Sequence, residues 1–290
     1  MLIYHSIKSI LLKASKFLIV LVVFIPIILI GCMQNFKMSP KEVELYYLVH
    51  PPKPLFQYFT SQHKTIHYAC SANNSHRILL LIHGAPGAWF GYKEYISDPV
   101  LLKYFKIIVP DRLGYHKSDP QTSSIDQQAK ALKSLLAQFP TAEITVLGRS
   151  YGAPIAARLA MNYPNLIKHL ILVAPACAPA LEKFWWFSKP VNTGLVRFFL
   201  PRFINTASDE KFRHQQELKE IEPDWGKITC SVTILQGGKD WIIDTKNGKY
   251  VDSALTNAPK KFIYLPENSH LLTYERKELM EELILETLQR

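Results

Sequence analysis

The chain has 290 residues, of which 48% are hydrophobic and 20% charged, a balance that excludes disorder and collagen-like repeats and allows one large domain with a substantial core. Four cysteines are too few for a disulfide-stapled scaffold. The net charge of +10, without zinc-finger spacing or an RNA-binding signature, points to an anionic membrane face and not to nucleic acid.

Lys8, Lys13 and Lys16 precede an apolar run at residues 17–30, interrupted only by Pro26. A charged start, an apolar stretch and a small residue at the cut describe a secretory signal over residues 1–31. The run is short of the about 20 residues that a spanning helix needs. Leu29-Ile30-Gly31-Cys32 resembles the lipobox of bacterial lipoproteins. That resemblance implies cleavage before Cys32, diacylation of its sulfur, and a mature protein lipid-anchored in the bacterial cell envelope, facing away from the cytoplasm. The competing reading is an uncleaved signal anchor starting near Ile10, a span that Lys13 and Lys16 would interrupt. Residues 32–54 carry Pro40, Pro51, Pro52 and Pro54 and read as a partly extended tether to a domain over 55–290.

Residues 55–60 and 65–70 alternate in polarity, as the strands of a hairpin do. Continuous apolar runs at 78–83 and 105–109 suit strands buried on both faces. They end in His83-Gly84 and in Pro110-Asp111-Arg112. Ser124 opens a helix whose stripe is Ile125, Ala129, Leu132, Leu135, Leu136 and Phe139. A strand at 144–147 runs into Gly148-Arg149-Ser150-Tyr151-Gly152, and a helix over 153–163 stops at Pro164. Further strands are predicted at 170–173, 232–235 and 263–265, with a closing helix at 276–289. The alternation predicts an α/β fold, a mainly parallel sheet with helices on both faces.

Residues 177–227 break that alternation. Ser208, Asp209 and Glu210 read as a helix start within them. Their aromatics read either as the core of a helix pair or as a lid over an apolar pocket, with Trp185, Trp186, Phe187 and Phe199 as pocket candidates.

The run at 148–152 fits the G-x-S-x-G elbow, in which flanking glycines remove side chains that would clash at a sharp strand-to-helix turn. A serine hydroxyl needs a general base and an orienting acid. Asp240 follows the strand at 232–235 and a Gly237-Gly238-Lys239 turn; His270 follows the strand at 263–265. Both lie beyond strand carboxyl ends, where parallel sheets hold ligands. Asp244 is the rival acid. An acyl transfer also needs preset N–H donors, for which Ala85 and Tyr151 are the candidates. Pro86 has no N–H to give. His83 reads as a brace for that loop and His214 as a solvated lid residue.

These motifs resemble the α/β-hydrolase family over residues 55–290: His83-Gly84-x-Pro86-Gly87, Asp111-Arg112-x-Gly114, the elbow, and the Asp240/His270 pair. The resemblance implies an eight-stranded sheet with its second strand antiparallel, and a small helical cap at 177–227. It implies a catalytic triad of Ser150, Asp240 and His270, no cofactor and no metal. His116 stands where the family has glycine and is expected to narrow the pocket mouth. On the family's strand order Cys70, Cys177 and Cys230 are too far apart to pair, and free, mostly buried thiols are expected.

A serine at the elbow argues against the epoxide- and halide-cleaving relatives, which use aspartate there. Esters, thioesters, lactones and amides remain, the last as in prolyl aminopeptidases. Those need cap acids to hold the substrate amine, whereas Glu182, Glu217, Glu220 and Glu222 sit among cations and read as solvated helix faces. The aromatic cap favours a small-molecule ester with an apolar acyl group. A tethered binding protein that kept the fold and lost catalysis is the reading from another class.

Overall fold

The computed structural model describes residues 37–61, 64–120, 124–186 and 188–289. Glu44–Arg290 forms one compact unit; of what precedes it, residues 37–43 are described and open a helix. The signal segment, Cys32 and Phe187 lie outside the described residues.

Eight strands form one sheet: β1 (Leu55–Ser61), β2 (Lys64–Cys70), β3 (Arg77–Ile82), β4 (Lys106–Pro110), β5 (Glu143–Arg149), β6 (His169–Val173), β7 (Ser231–Gly237) and β8 (Lys260–Leu265). Their order is β1-β2-β4-β3-β5-β6-β7-β8. The strand β2 runs antiparallel to β1 and β4, and all later neighbours pair in parallel. Leu79, Leu80 and Leu81 are all fully buried, because helices cover both faces of the sheet at β3. The edge strand β8 begins Lys260-Lys261 and is only half-buried, which blunts the sheet's open side.

The main helices are α1 (Pro40–Val49), α2 (Ile125–Leu136), α3 (Gly152–Asn162), α4 (Gly194–Phe199), α5 (Arg202–Ile221), α6 (Lys246–Ala254) and α7 (Lys277–Glu286). The Ser124 side chain caps α2 by accepting from the Gln127 N–H at 3.3 Å, and the expected apolar stripe is buried beneath it as far as Leu136, with Phe139 half-buried beyond the helix end. Through α3 the sequence is rich in alanine, so the helix packs closely between strands and α2 and is buried nearly all round.

Three sequence expectations are corrected. The stretch read as an extended tether contains α1, and Tyr47 on it is buried and donates to the Lys93 carbonyl at 3.2 Å. Residues 208–210 do not start a helix; they lie in the middle of the 20-residue α5. Asp209 there pairs with Arg197, and Glu210 turns inward, so their charges serve tertiary partners and not a helix end. His214 is buried, with its ring 4.6 Å from that of Tyr151. The thiols behave as expected: Cys70 and Cys177 are buried, Cys230 is half-buried and all three are free. Burial pushes Cys230 up to about 11, and Cys177 well above the ordinary thiol range.

Candidate active site

The strand order reverses between β3 and β5. The chain leaves β3 for β4 on one side and returns to β5 on the other, opening a crevice at their carboxyl ends. Ser150 follows β5 there with φ of 54°, a left-handed conformation that few side chains adopt. Its N–H donates to the Val173 carbonyl at 2.9 Å, and its carbonyl accepts from Ala153 at 3.0 Å. A Cβ at Gly148 would stand 2.5 Å from the Gly152 carbonyl oxygen, and one at Gly152 2.7 Å from that of His83. Neither site has room for alanine, which is why glycine flanks the serine.

Asp240 and His270 come together. The His270 Nδ1 lies 2.7 Å from Asp240 Oδ2, and both side chains are buried. The other carboxylate oxygen accepts from the Ile242 and Ile243 amides, each at 3.0 Å, so the acid is fixed in orientation. The two loops touch through backbone. Lys239 donates to the Asn268 carbonyl at 2.9 Å, and a Cβ at Gly237 would stand 2.5 Å from that same oxygen. Asp244, the rival, caps Lys246 and faces Lys183 at 3.4 Å.

The loop bearing Ala85 is held from below. Arg112 donates its backbone N–H to His83 Nε2 at 3.0 Å, its Nε to the His83 carbonyl at 2.9 Å and its Nη2 to the Gly84 carbonyl at 3.0 Å. His83 Nδ1 sits 2.8 Å from the Gly84 carbonyl. Burial, together with the Arg112 charge, pushes His83 down to about 3, so it stays neutral and braces the loop. Tyr151 is the residue that opens α3, which places its amide at a helix amino terminus beside Ser150.

Arg112 itself is buried, and burial opposes its charge. Glu210 from the cap more than restores it, forming a two-pronged pair at 2.5 and 3.1 Å. Tyr115 donates to Glu210 at 2.6 Å and Gln128 at 2.9 Å. The guanidinium lies 4.7 Å from the Tyr115 ring centre and 4.9 Å from that of Tyr151. Sequence spacing could not have found this pair, whose members are 98 residues apart.

His116 is half-buried and turns to a carboxylate. Its Nδ1 lies 2.7 Å from Asp111 Oδ2, which His67 Nδ1 also approaches at 2.6 Å. Burial works against the Asp111 charge, but the two imidazoles overcome it and hold the carboxyl at about 2. Among the described residues these three are the group whose ligand atoms could hold a metal, all lying within 4.8 Å of one another. A metal on His67 Nδ1 would force a proton onto Nε2, which is buried without a partner, so the hydrogen-bonded form fits better.

The cap aromatics are also displaced from expectation. Trp186 and Phe199 are 85% and 71% exposed, and do not line an enclosed cavity. Trp185 is half-exposed, its ring 6.1 Å from that of Trp241, the residue after Asp240. Glu182 is not solvated: its carboxylate contacts Lys211 and lies 2.8 Å from His214 Nδ1. Glu217 accepts from the Ile125 N–H at 3.0 Å.

Sheet order, the antiparallel second strand and the elbow after β5 decide the architecture. The chain has the α/β-hydrolase fold. A family model described as the alpha/beta hydrolase fold matches residues 77–197. The AB hydrolase superfamily protein YfhM of Bacillus subtilis is 28% identical over 121 residues, 40% of this chain and 42% of that protein. The chain thus spans under half the length of such curated relatives. An esterase from Exiguobacterium antarcticum superposes with a TM-score of 0.65 at 17% identity, covering 80% of this chain and 99% of its own. An enol-lactonase from Burkholderia xenovorans gives 0.63 at 15%, covering 81% and 100%.

Glu210→Ala would leave the Arg112 charge buried without its partner. A loss of about 3–5 kcal/mol is expected, read as a lowered urea midpoint. An unchanged midpoint would show that the pair does not hold the cap to the sheet.

Proposed function

We propose that this chain is a serine hydrolase that cleaves carboxylic esters with an apolar acyl group through an acyl-enzyme. The buried Asp240–His270 pair, at the same sheet edge as Ser150, carries this reading. With Asp240 accepting from Nδ1–H, the lone pair of His270 is on Nε2 and can take the Ser150 proton as Oγ attacks the carbonyl. The Ala85 and Tyr151 amides are the donors for the developing oxyanion. The alcohol leaves with the proton, and water then releases the acid by the same route.

The esterase and the enol-lactonase, which share the fold, act by name on acyl bonds; that supports the reaction class and no particular substrate. Apolar side chains at the site's rim, Trp185, Trp241 and Leu271, favour an apolar acyl group. The prolyl-aminopeptidase reading loses ground, because Glu182 and Glu210 are occupied by His214, Lys211 and Arg112 and do not stand ready for a substrate amine. A binding protein without catalysis has no use for an oriented acid–imidazole pair.

We also propose that Cys32 carries a diacylglyceryl anchor that keeps the domain on a bacterial envelope membrane. Among the described residues no helix is long and apolar enough to cross a membrane.

Ser150→Ala is expected to lower ester turnover by several powers of ten while leaving the urea midpoint in place. Turnover within tenfold of the parent would remove Ser150 from the mechanism. Across p-nitrophenyl esters of rising chain length, kcat/KM should gain up to about 0.8 kcal/mol per added CH2 until the pocket fills. A preference for acetyl esters, or for proline anilides over all esters, would overturn the acyl assignment. For the anchor, wild type should take up labelled fatty acid and Cys32→Ser should accumulate as the longer precursor. A wild-type protein that stays unlabelled and keeps residues 1–31 would make the segment a signal anchor.

A further inference from the structure

Helix α4 reads Gly-Leu-Val-Arg-Phe-Phe and buries none of its residues. Six residues are far too few for a helix to hold itself in water, and an apolar side chain left in water contributes nothing. Leu195 is 77% exposed, Phe198 82% and, as noted, Phe199 and Trp186 are similarly bare. Monomeric proteins seldom leave such side chains together without a use. Trp185, next in the chain to Trp186, lies beside the candidate catalytic groups. Trp185 touches Trp241, which follows Asp240; His270, on the same carboxylate, is followed by exposed Leu271 and Tyr274.

Charge indicates what covers it. Residues 183–208 contain Lys183, Lys189, Arg197 and Arg202 and no acid. Lys183 and Arg197 are held by Asp244 and Asp209 from outside that stretch, and Lys189 is exposed. Among the described residues no carboxylate pairs with Lys189 or Arg202, which are exposed, so a second copy of this chain would set these cations against its own. An anionic lipid surface complements them, and tryptophan with phenylalanine beside lysine is the composition that settles at a headgroup boundary.

We propose that the cap face built from residues 184–186 and α4, with Trp241 and Leu271, docks on an anionic phospholipid bilayer and sets the mouth of the site against it. Resting on the serine-hydrolase reading, this makes the substrate an acyl ester resident in that bilayer. The alcohol and the acid are then released at the membrane surface, while the docked aromatics stay among the acyl chains.

Full-length protein is reconstituted into vesicles of phosphatidylcholine alone or with phosphatidylglycerol, each containing phosphatidylcholine brominated on its acyl chains. Flotation alone does not discriminate, since residues 17–30 can hold the chain on any vesicle. The readout is quenching of tryptophan fluorescence, together with turnover of a vesicle-borne ester and of a soluble p-nitrophenyl ester. Quenching is expected in the anionic vesicles, and it should fade as salt rises. The Leu195→Ser/Phe198→Ser double variant should lose it and lose vesicle-ester turnover at least about tenfold, while soluble-ester turnover is retained. Ser150→Ala should be quenched like the parent. If soluble-ester turnover is absent from the parent but quenching is present, the hydrolase reading fails and docking stands. Unquenched tryptophans on anionic vesicles overturn the proposal, and so does equal quenching without phosphatidylglycerol. A lipid-free dimer that the double variant dissolves would assign the face to a second copy instead.

Discussion

Absence of a Cβ at two positions governs this molecule. With Gly148 and Gly152 bare, β5 can turn into α3 within three residues, and the turn can press against the end of β3. That contact forces the left-handed Ser150 and keeps its side chain at the crevice edge. It also packs His83 and Gly84 against the elbow, so that the loop bearing Ala85 and the helix opened by Tyr151 meet around one point. Steric closeness thus fixes these two amides relative to each other, and donors held that way need no rearrangement when a charge develops beside them.

Two polar assemblies then fix what sterics leave free. Asp240 has its carboxylate held by two backbone amides, the Gln236 side chain and an imidazole, which fixes the orientation it offers His270. Arg112 does the corresponding task for the His83–Gly84 backbone and draws its counter-charge from the cap. The second assembly joins four separate segments of chain, since Gln128 of α2 also bonds Arg112 and Glu210, and its donors are answered by acceptors. A buried charge is tolerable only under that condition.

Much of the sheet could be read from the sequence, because apolar runs between glycine-rich turns leave few alternatives. The elbow and the Asp240/His270 pair were legible for the same reason: each follows directly on a strand end, so local order fixes position. The cap was read poorly. Its residues 208–210 have the composition of a helix start, yet they point at partners far off in sequence, and only tertiary contact decides that. The carboxylate partners of His116 and His214 were missed likewise. A lone histidine carries no sign of the carboxylate it will meet, and Asp111 and Glu182 lie 5 and 32 residues away from them. Trp186, Phe198 and Phe199 look like core by composition and are exposed in fact.

The face of α5 that carries Arg202, Thr206 and Glu210, one residue per turn, is riveted to the loop after β4: Arg202 donates to the His116 and Ser118 carbonyls, Thr206 to that of Gly114, and Glu210 receives Arg112. Residues 194–199 bury no side chain and hang from α5 by Arg197, which pairs with Asp209 and accepts from Asn205 at its carbonyl, and Gly194 has open space where a Cβ would go. The cap is therefore two materials in series, a fixed beam and a replaceable fringe. The fringe can be rewritten with little loss of stability, while the beam keeps the loop beneath it in register.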